Sequence, residues 1–162
     1  MSLQQLIAAY VSGIDAVRRA VAVMTPEQVR ARPVAGKWST LEVVCHIADF
    51  ELIDAVRITR TLAEDRPVLF DIDEKRLAAL SYHGRELDEE LAVIDATRRH
   101  VARVLSGQPE SALARESTFG IGDRSEVRSL ERHLVLAAEH IPHHVPFIHE
   151  KRRALGLSVP SA

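Results

Sequence analysis

Apolar residues recur three and four positions apart along most of this chain, the repeat of an amphipathic helix. Almost nowhere do they alternate as a half-buried strand requires. From about Leu3 to Met24, the residues Leu6, Tyr10, Ile14, Val17 and Val21 fall on one stripe. Thr25-Pro26-Glu27-Gln28 reads as an N-cap followed by proline at the first helical position, opening a short turn of helix. Arg32-Pro33-Val34-Ala35-Gly36 is a linker. Ser39-Thr40-Leu41-Glu42 is a capping box, in which the serine oxygen and the glutamate carboxylate satisfy free amides at a helix start. That second long helix is expected to reach about Glu64, where Asp65-Arg66-Pro67 stops it. A short helical piece is expected near Asp73 to Leu80. A third long helix spans about Arg85 to Ser106, with Leu87, Leu91, Ile94, Val101 and Leu105 on its stripe, and ends at Gly107. Glu116 to Arg124, with two glycines, is expected to be loop. Asp123-Arg124-Ser125-Glu126 reads as another capping box, opening a last long helix to about Leu155 that Gly156 closes.

Four long amphipathic helices with connections long enough to hold short helices predict an all-α fold, a four-helix bundle in one domain over residues 1–162. Its core is expected to be built from Leu6, Ile14, Leu41, Ile53, Leu91, Ile94, Leu134 and Phe147. A sheet of three or more strands would end this reading.

Composition narrows the functional classes. A net charge of −2 and no basic block leave no electrostatic footprint for nucleic acid. The single cysteine, Cys45, excludes an internal disulfide and fits a reducing compartment. No signal-peptide pattern opens the chain, and no apolar run is long enough for a membrane span. A cytoplasmic protein with a small-molecule substrate, no nucleic acid and no membrane partner is therefore expected.

The chemistry sits in the histidines. His140 and His144 are four residues apart, so on a helix their imidazoles share one face. At about 100° per residue, His133 lies about 20° from His140, His144 about 40° and His143 about 60°. The stripe of His133, His140 and His144 can face the bundle axis, and His46 on the second helix can complete a three-nitrogen site for a divalent metal. Glu42, Asp49, Phe50 and Ile53 share the face of His46, while Glu51 is rotated by about 140° toward solvent or a helix interface. Three neutral imidazoles leave the full charge of the dication in place, which can activate a water or a thiol. Asp49 or Glu42 is placed to take the proton.

The competing reading is that these histidines are hydrogen-bonded core residues, since HxxxH alone is common. His143 and His149 read as supporting or surface groups, and the role of His133 stays open. His83 and His100 have no company. Cys45 reads as a small core filler, and Trp38 as a core anchor. Pro142 and Pro146 deprive the carbonyls of Ala138 and Pro142 of their amide partners, so a kink is expected beside the histidines. No HExxH, P-loop or GxSxG is present, and no paired Glu-x-x-His of a di-iron bundle.

The run Gly36-Lys37-Trp38-Ser39-Thr40-Leu41-Glu42-Val43-Val44-Cys45-His46-Ile47-Ala48-Asp49 resembles the start of the second helix of the DinB/YfiT-like superfamily. The run from Glu139 to Ile148, continuing through Lys151-Arg152-Arg153-Ala154-Leu155-Gly156, resembles its last helix. The resemblance implies a bundle of up-down-down-up order, often a homodimer, holding a divalent metal, zinc or nickel, on His46, His140 and His144. It further implies either a metal-dependent hydrolase or a transferase or isomerase that uses a low-molecular-weight thiol such as bacillithiol, mycothiol or glutathione. A non-catalytic metal-binding or dimerisation bundle is the alternative. Substrate identity does not carry over, because it resides in the loops.

Overall fold

The computed structural model describes residues 1–70, 72–80, 82–121 and 124–160. Its helices are α1 (Leu3–Val21), α2 (Pro26–Arg30), α3 (Thr40–Ala63), α4 (Glu74–Ala79), α5 (Leu87–Ser106) and α6 (Leu130–Ala154). Local chemistry sets most of their starts. Ser2, Thr25 and Ser39 each close a capping box with the glutamine or glutamate three residues on. Asp73 caps α4, as expected for the short piece there. Helix α6 runs unbroken through Pro142 and Pro146, whose side chains face solvent. Gly156, in the left-handed region at φ 74°, follows its end. No helix among the described residues is long and apolar enough to cross a membrane.

The four long helices form the predicted bundle. Helix α1 packs on α6 and α5, and α3 packs on the same two. Contacts between α1 and α6 run in the same direction: Met1 meets Glu131 at one end and Arg152 reaches the carbonyls of Ala20 and Ala22 at the other. Helices α3 and α5 are likewise parallel, Asp49 lying near Arg85 and Glu51 near Arg98. The order is therefore up-down-down-up. The apolar stripes meet in two clusters, one around Leu6, Tyr10, Ile58, Val101 and Leu134, the other around Val17, Ile47, Ile94, Ile141 and Ile148. Full burial of each such aliphatic side chain stabilises the bundle by about 1.5–3 kcal/mol. Of the predicted core, Leu6, Ile14, Leu41, Ile94 and Leu134 are buried, whereas Ile53, Leu91 and Phe147 are only half-buried.

Two expectations are corrected. A three-stranded sheet is present, formed by β1 (Val68–Phe70), β2 (Glu116–Ile121) and β3 (Arg124–Ser129), with β1 parallel and β3 antiparallel to β2. It does not displace the bundle, because it is built wholly from the α3–α4 and α5–α6 connections. Glu116 to Ile121 is thus strand rather than loop. Helix α6 starts at Leu130 with Ser129 as its cap, not in the Asp123–Glu126 box, whose first residue lies outside the described positions. Arg124 to Ser129 pair with β2 instead, and that ladder competes with the local helix signal. Arginines fasten the sheet to α3: Arg57 and Arg60 donate to the carbonyls of Phe70 and Val68, and Arg115 donates to those of Thr61 and Glu64. This mooring hangs the sheet beside the histidine face of α3 and α6.

Candidate metal centre

His46 comes from the second turn of α3, and His140 and His144 come from successive turns of the antiparallel α6. The Nε2 atom of His144 lies 3.1 Å from both His46 Nε2 and His140 Nε2. The three ligand nitrogens lie within 4.8 Å of one another, and among the described residues this group of three has no fourth histidine, cysteine or carboxylate. Aromatic packing orients the rings. Trp38 and Phe50 stand 5.2 and 4.7 Å from the His46 ring, and His143 lies edge-on to His144 at 5.0 Å. The Nδ1 atoms of all three are buried and have no hydrogen-bond partner among the described residues.

These donors fit a divalent metal ion. Two nitrogens bound 2.0–2.1 Å from a tetrahedral centre lie about 3.3 Å apart, close to the spacing found here. Ligation requires neutral imidazole, and burial keeps these rings neutral. It pushes His140 down to about 3 and His144 to about 4, the neighbouring imidazoles adding to both shifts. His46 is lowered as well, again by burial, against the opposing charges of Glu74 and Asp49.

Two cavities meet at the triad. One, of about 360 Å³, is lined by Trp38, Phe147, Lys37 and Lys151; the other, of about 340 Å³, reaches under the sheet to Asp54, Arg57, Phe119, Arg128 and His133. Glu74, His143 and His144 line both. The triad therefore opens onto space large enough for a small molecule.

The remaining predicted residues take other places. Glu42 closes the α3 capping box and pairs with Arg32, which helps hold its carboxyl below the usual range against the opposing effect of burial. Asp49 accepts from Arg85 Nη1 at 2.8 Å and reaches the site through its charge on His46. His133 is not a triad member: its Nε2 bonds Ser117 Oγ on β2 at 2.8 Å and its ring lies 4.8 Å from Phe119. His143 is exposed at the junction of the cavities, and His149 lines a separate groove between α1 and α6. Cys45 is fully buried, its thiol pushed up to about 12 by that burial. Trp38 belongs to the edge of the core and to the wall of the site together.

Sequence reasoning missed Glu74, Lys151 and the Arg57–Phe119–Arg128 group. Lys151 was within reach, since it lies seven residues beyond His144 and about 20° from His140 on the same stripe. The docking of α4, which delivers Glu74, has no local signal.

Comparison with known proteins agrees with this fold. The DinB superfamily model matches residues 9–148. YfiT from Bacillus subtilis (strain 168) is 28% identical over 144 residues, covering 88% of this chain and 79% of that protein. A relative from Bacillus licheniformis, likewise provisionally named for metal-dependent hydrolysis, is 28% identical over 142 residues, 86% of this chain and 79% of its own. The solved structure of B. subtilis YfiT, described as a probable metal-dependent hydrolase with an unusual four-helix bundle topology, superposes with a TM-score of 0.85. That match has 26% identity and covers 96% of this chain and 89% of the other. With its parallel helix pairs, its histidine triad and a family match over most of its length, this chain belongs to the DinB superfamily.

Proposed function

We propose that this protein is a metal-dependent enzyme, a hydrolase or a thiol-dependent S-transferase, that uses zinc or nickel on His46, His140 and His144 and acts on a small molecule. The observation carrying the proposal is the convergence of three imidazoles, with no fourth donor among the described residues, at the junction of two cavities. A divalent ion held there supplies Lewis acidity, raising the anionic fraction of a water or a thiol at neutral pH.

The chain's own residues do the rest. Trp38, Phe50 and Phe147 pack against the rings of His46 and His144 and hold them in place. Glu74 stands in both cavities with its charge directed on His46, and is the group assigned to accept the proton. Asp49 and Glu42, each held by an arginine, support His46 and the start of α3 in this reading. The same proposal places the enzyme in the cytoplasm as a twofold dimer. Leu52, Val56 and Phe70 form an exposed apolar patch on α3 and β1, and a stable isologous contact buries on the order of 1,200 Å² or more. A monomeric mass in light scattering would remove the dimer from it.

Elemental analysis of protein purified without an affinity tag decides the metal. One equivalent of zinc or nickel is expected, lost in His140→Ala. Activity assays with ester, amide and thiol-plus-electrophile substrates then separate the enzyme from a bundle in which the metal only ties helices together. Glu74→Gln should lower kcat by about 10²–10⁴-fold at unchanged metal content. A metal-loaded protein inert towards all three substrate types would favour the structural alternative.

A further inference from the structure

The cavity beside the triad contains a cation that the metal reading does not use. Lys151 is 2% exposed, and its ammonium makes one hydrogen bond, to the carbonyl of Phe147 one turn back on its own helix, at 3.0 Å. An ammonium has three donors. Among the described residues, no carboxylate forms an ion pair with this one. Buried charges are as a rule paired, because desolvation of an isolated ion is expensive. Burial lowers the Lys151 amine, against the charge of Glu150 and, more weakly, of Glu42, while the nearby Lys37 acts in the same direction as burial. Lys37 is exposed and lines the same cavity, together with Trp38 and Phe147. Among the described residues, Glu74 is the only carboxylate lining this cavity, at the end shared with the triad. The cavity thus has a cationic end and a triad end.

We infer that this cavity is an anion subsite in which Lys151, backed by Lys37, binds a carboxylate or phosphate group of the substrate and so directs the rest of the molecule to the triad. The inference rests on the metal-site reading for its purpose but not for its test. Lys151 is seven residues from His144, roughly 10 Å along the helix axis. The favoured substrate therefore carries its anionic group several bonds from the reacting atom, and Glu74 repels the reversed orientation.

Inorganic phosphate and acetate are titrated into the full-length protein near neutral pH, with and without zinc. Calorimetry follows binding, and the fluorescence of Trp38, the chain's single tryptophan, places it in the cavity. Saturable binding of at least one anion is expected in both forms. It should weaken about tenfold or more in Lys151→Met and less in Lys37→Gln, and persist in Lys151→Arg, with zinc uptake unchanged in all three. Whichever of the two anions binds identifies the group recognised. Equal affinity in wild type and Lys151→Met would mean that the anion sits elsewhere, on the zinc included, and overturns the inference, as does the absence of saturable binding. Should Lys151→Met fail to fold, Lys37→Gln and Lys151→Arg carry the decision, since unchanged binding in Lys37→Gln with loss in Lys151→Arg contradicts a charge-based subsite. Anion binding without zinc uptake would leave the subsite standing and sink the metal reading; zinc uptake without anion binding would do the reverse.

Discussion

Two buried polar layers lie about one helical turn apart in this bundle, and they are finished differently. In one, Arg98 is fully buried and engaged throughout: Nε and Nη2 bond Glu51 at 2.9 and 2.5 Å, Nη2 also reaches the carbonyl of Ala137, and Nη1 bonds that of Tyr10. The Tyr10 hydroxyl donates to the other Glu51 oxygen at 2.8 Å, and the guanidinium lies 4.3 Å from the Tyr10 ring. All four long helices contribute to this cluster. In the other layer, three imidazoles crowd their Nε2 atoms together and leave every Nδ1 without a protein partner. A saturated polar layer fixes one arrangement of the helices. An unsaturated one departs from the usual rule for buried polar groups, and such departures mark places kept for a ligand.

The largest effect that should separate the two layers comes from Arg98→Met. Leaving Glu51 buried and unpaired is expected to reduce stability by about 3–5 kcal/mol in denaturant titrations. Adding Glu51→Leu should restore most of the loss, and if it does not, the cluster acts as more than a charge pair. His140→Ala in the metal-free protein should change stability by no more than about 1–2 kcal/mol, since no protein hydrogen bond to its Nδ1 is lost. Zinc supplies the contrast. At a free concentration a thousandfold above its Kd, it should stabilise the wild type by about 4 kcal/mol and His140→Ala hardly at all.

A smaller effect follows from the depressed imidazoles. The folded-state values of His140, about 3, and His133 and His144, about 4, lie below the ordinary histidine value. Between about 4 and 6.5 the unfolded chain therefore binds more protons than the native one. Stability present above pH about 6.5 should be lost as pH falls through this window, by at most about 1.4 kcal/mol per pH unit for each histidine kept neutral. A flat midpoint from pH 7 to 5 would show that these rings titrate normally. Metal retention should likewise survive below pH 6.5, because proton competition at His140 and His144 starts lower.

The smallest effect tests the packing of the saturated layer. A Cβ at Gly13 would meet Arg98 Nη1 within contact distance. Gly13→Ala gains about 1 kcal/mol in helix propensity but overpacks a fully held guanidinium, at about 1–3 kcal/mol. A net loss is expected, and a net gain would mean that the cluster can shift.

The sequence made much of this visible. The stripe through Leu6, Tyr10, Ile14 and Val17, the box at Ser39 and the spacing of His140 and His144 are local signals written within one or two turns. The pairing of Glu51 with Arg98 was only half legible: the rotation of Glu51 off the His46 face pointed to solvent or an interface, and the structure gives the interface. The sheet escaped because β1 is three residues long and β3 is largely polar, so its stability comes from partners far along the chain. The same non-locality hid the start of α6, where the ladder to β2 overrides a plausible cap, and the position of Glu74.

The parallel pairing of α1 with α6 also bears on how the chain is made. Helix α1 leaves the ribosome well before α6, one of its principal partners, and His46 waits for His140 and His144 in the same way. Between the end of α1 and the start of α6 lie about 110 residues, roughly 5–20 s of synthesis. During that interval the stripe of α1 lacks this partner and His46 lacks its companions, so neither the bundle nor its histidine triad can be completed until α6 has been made.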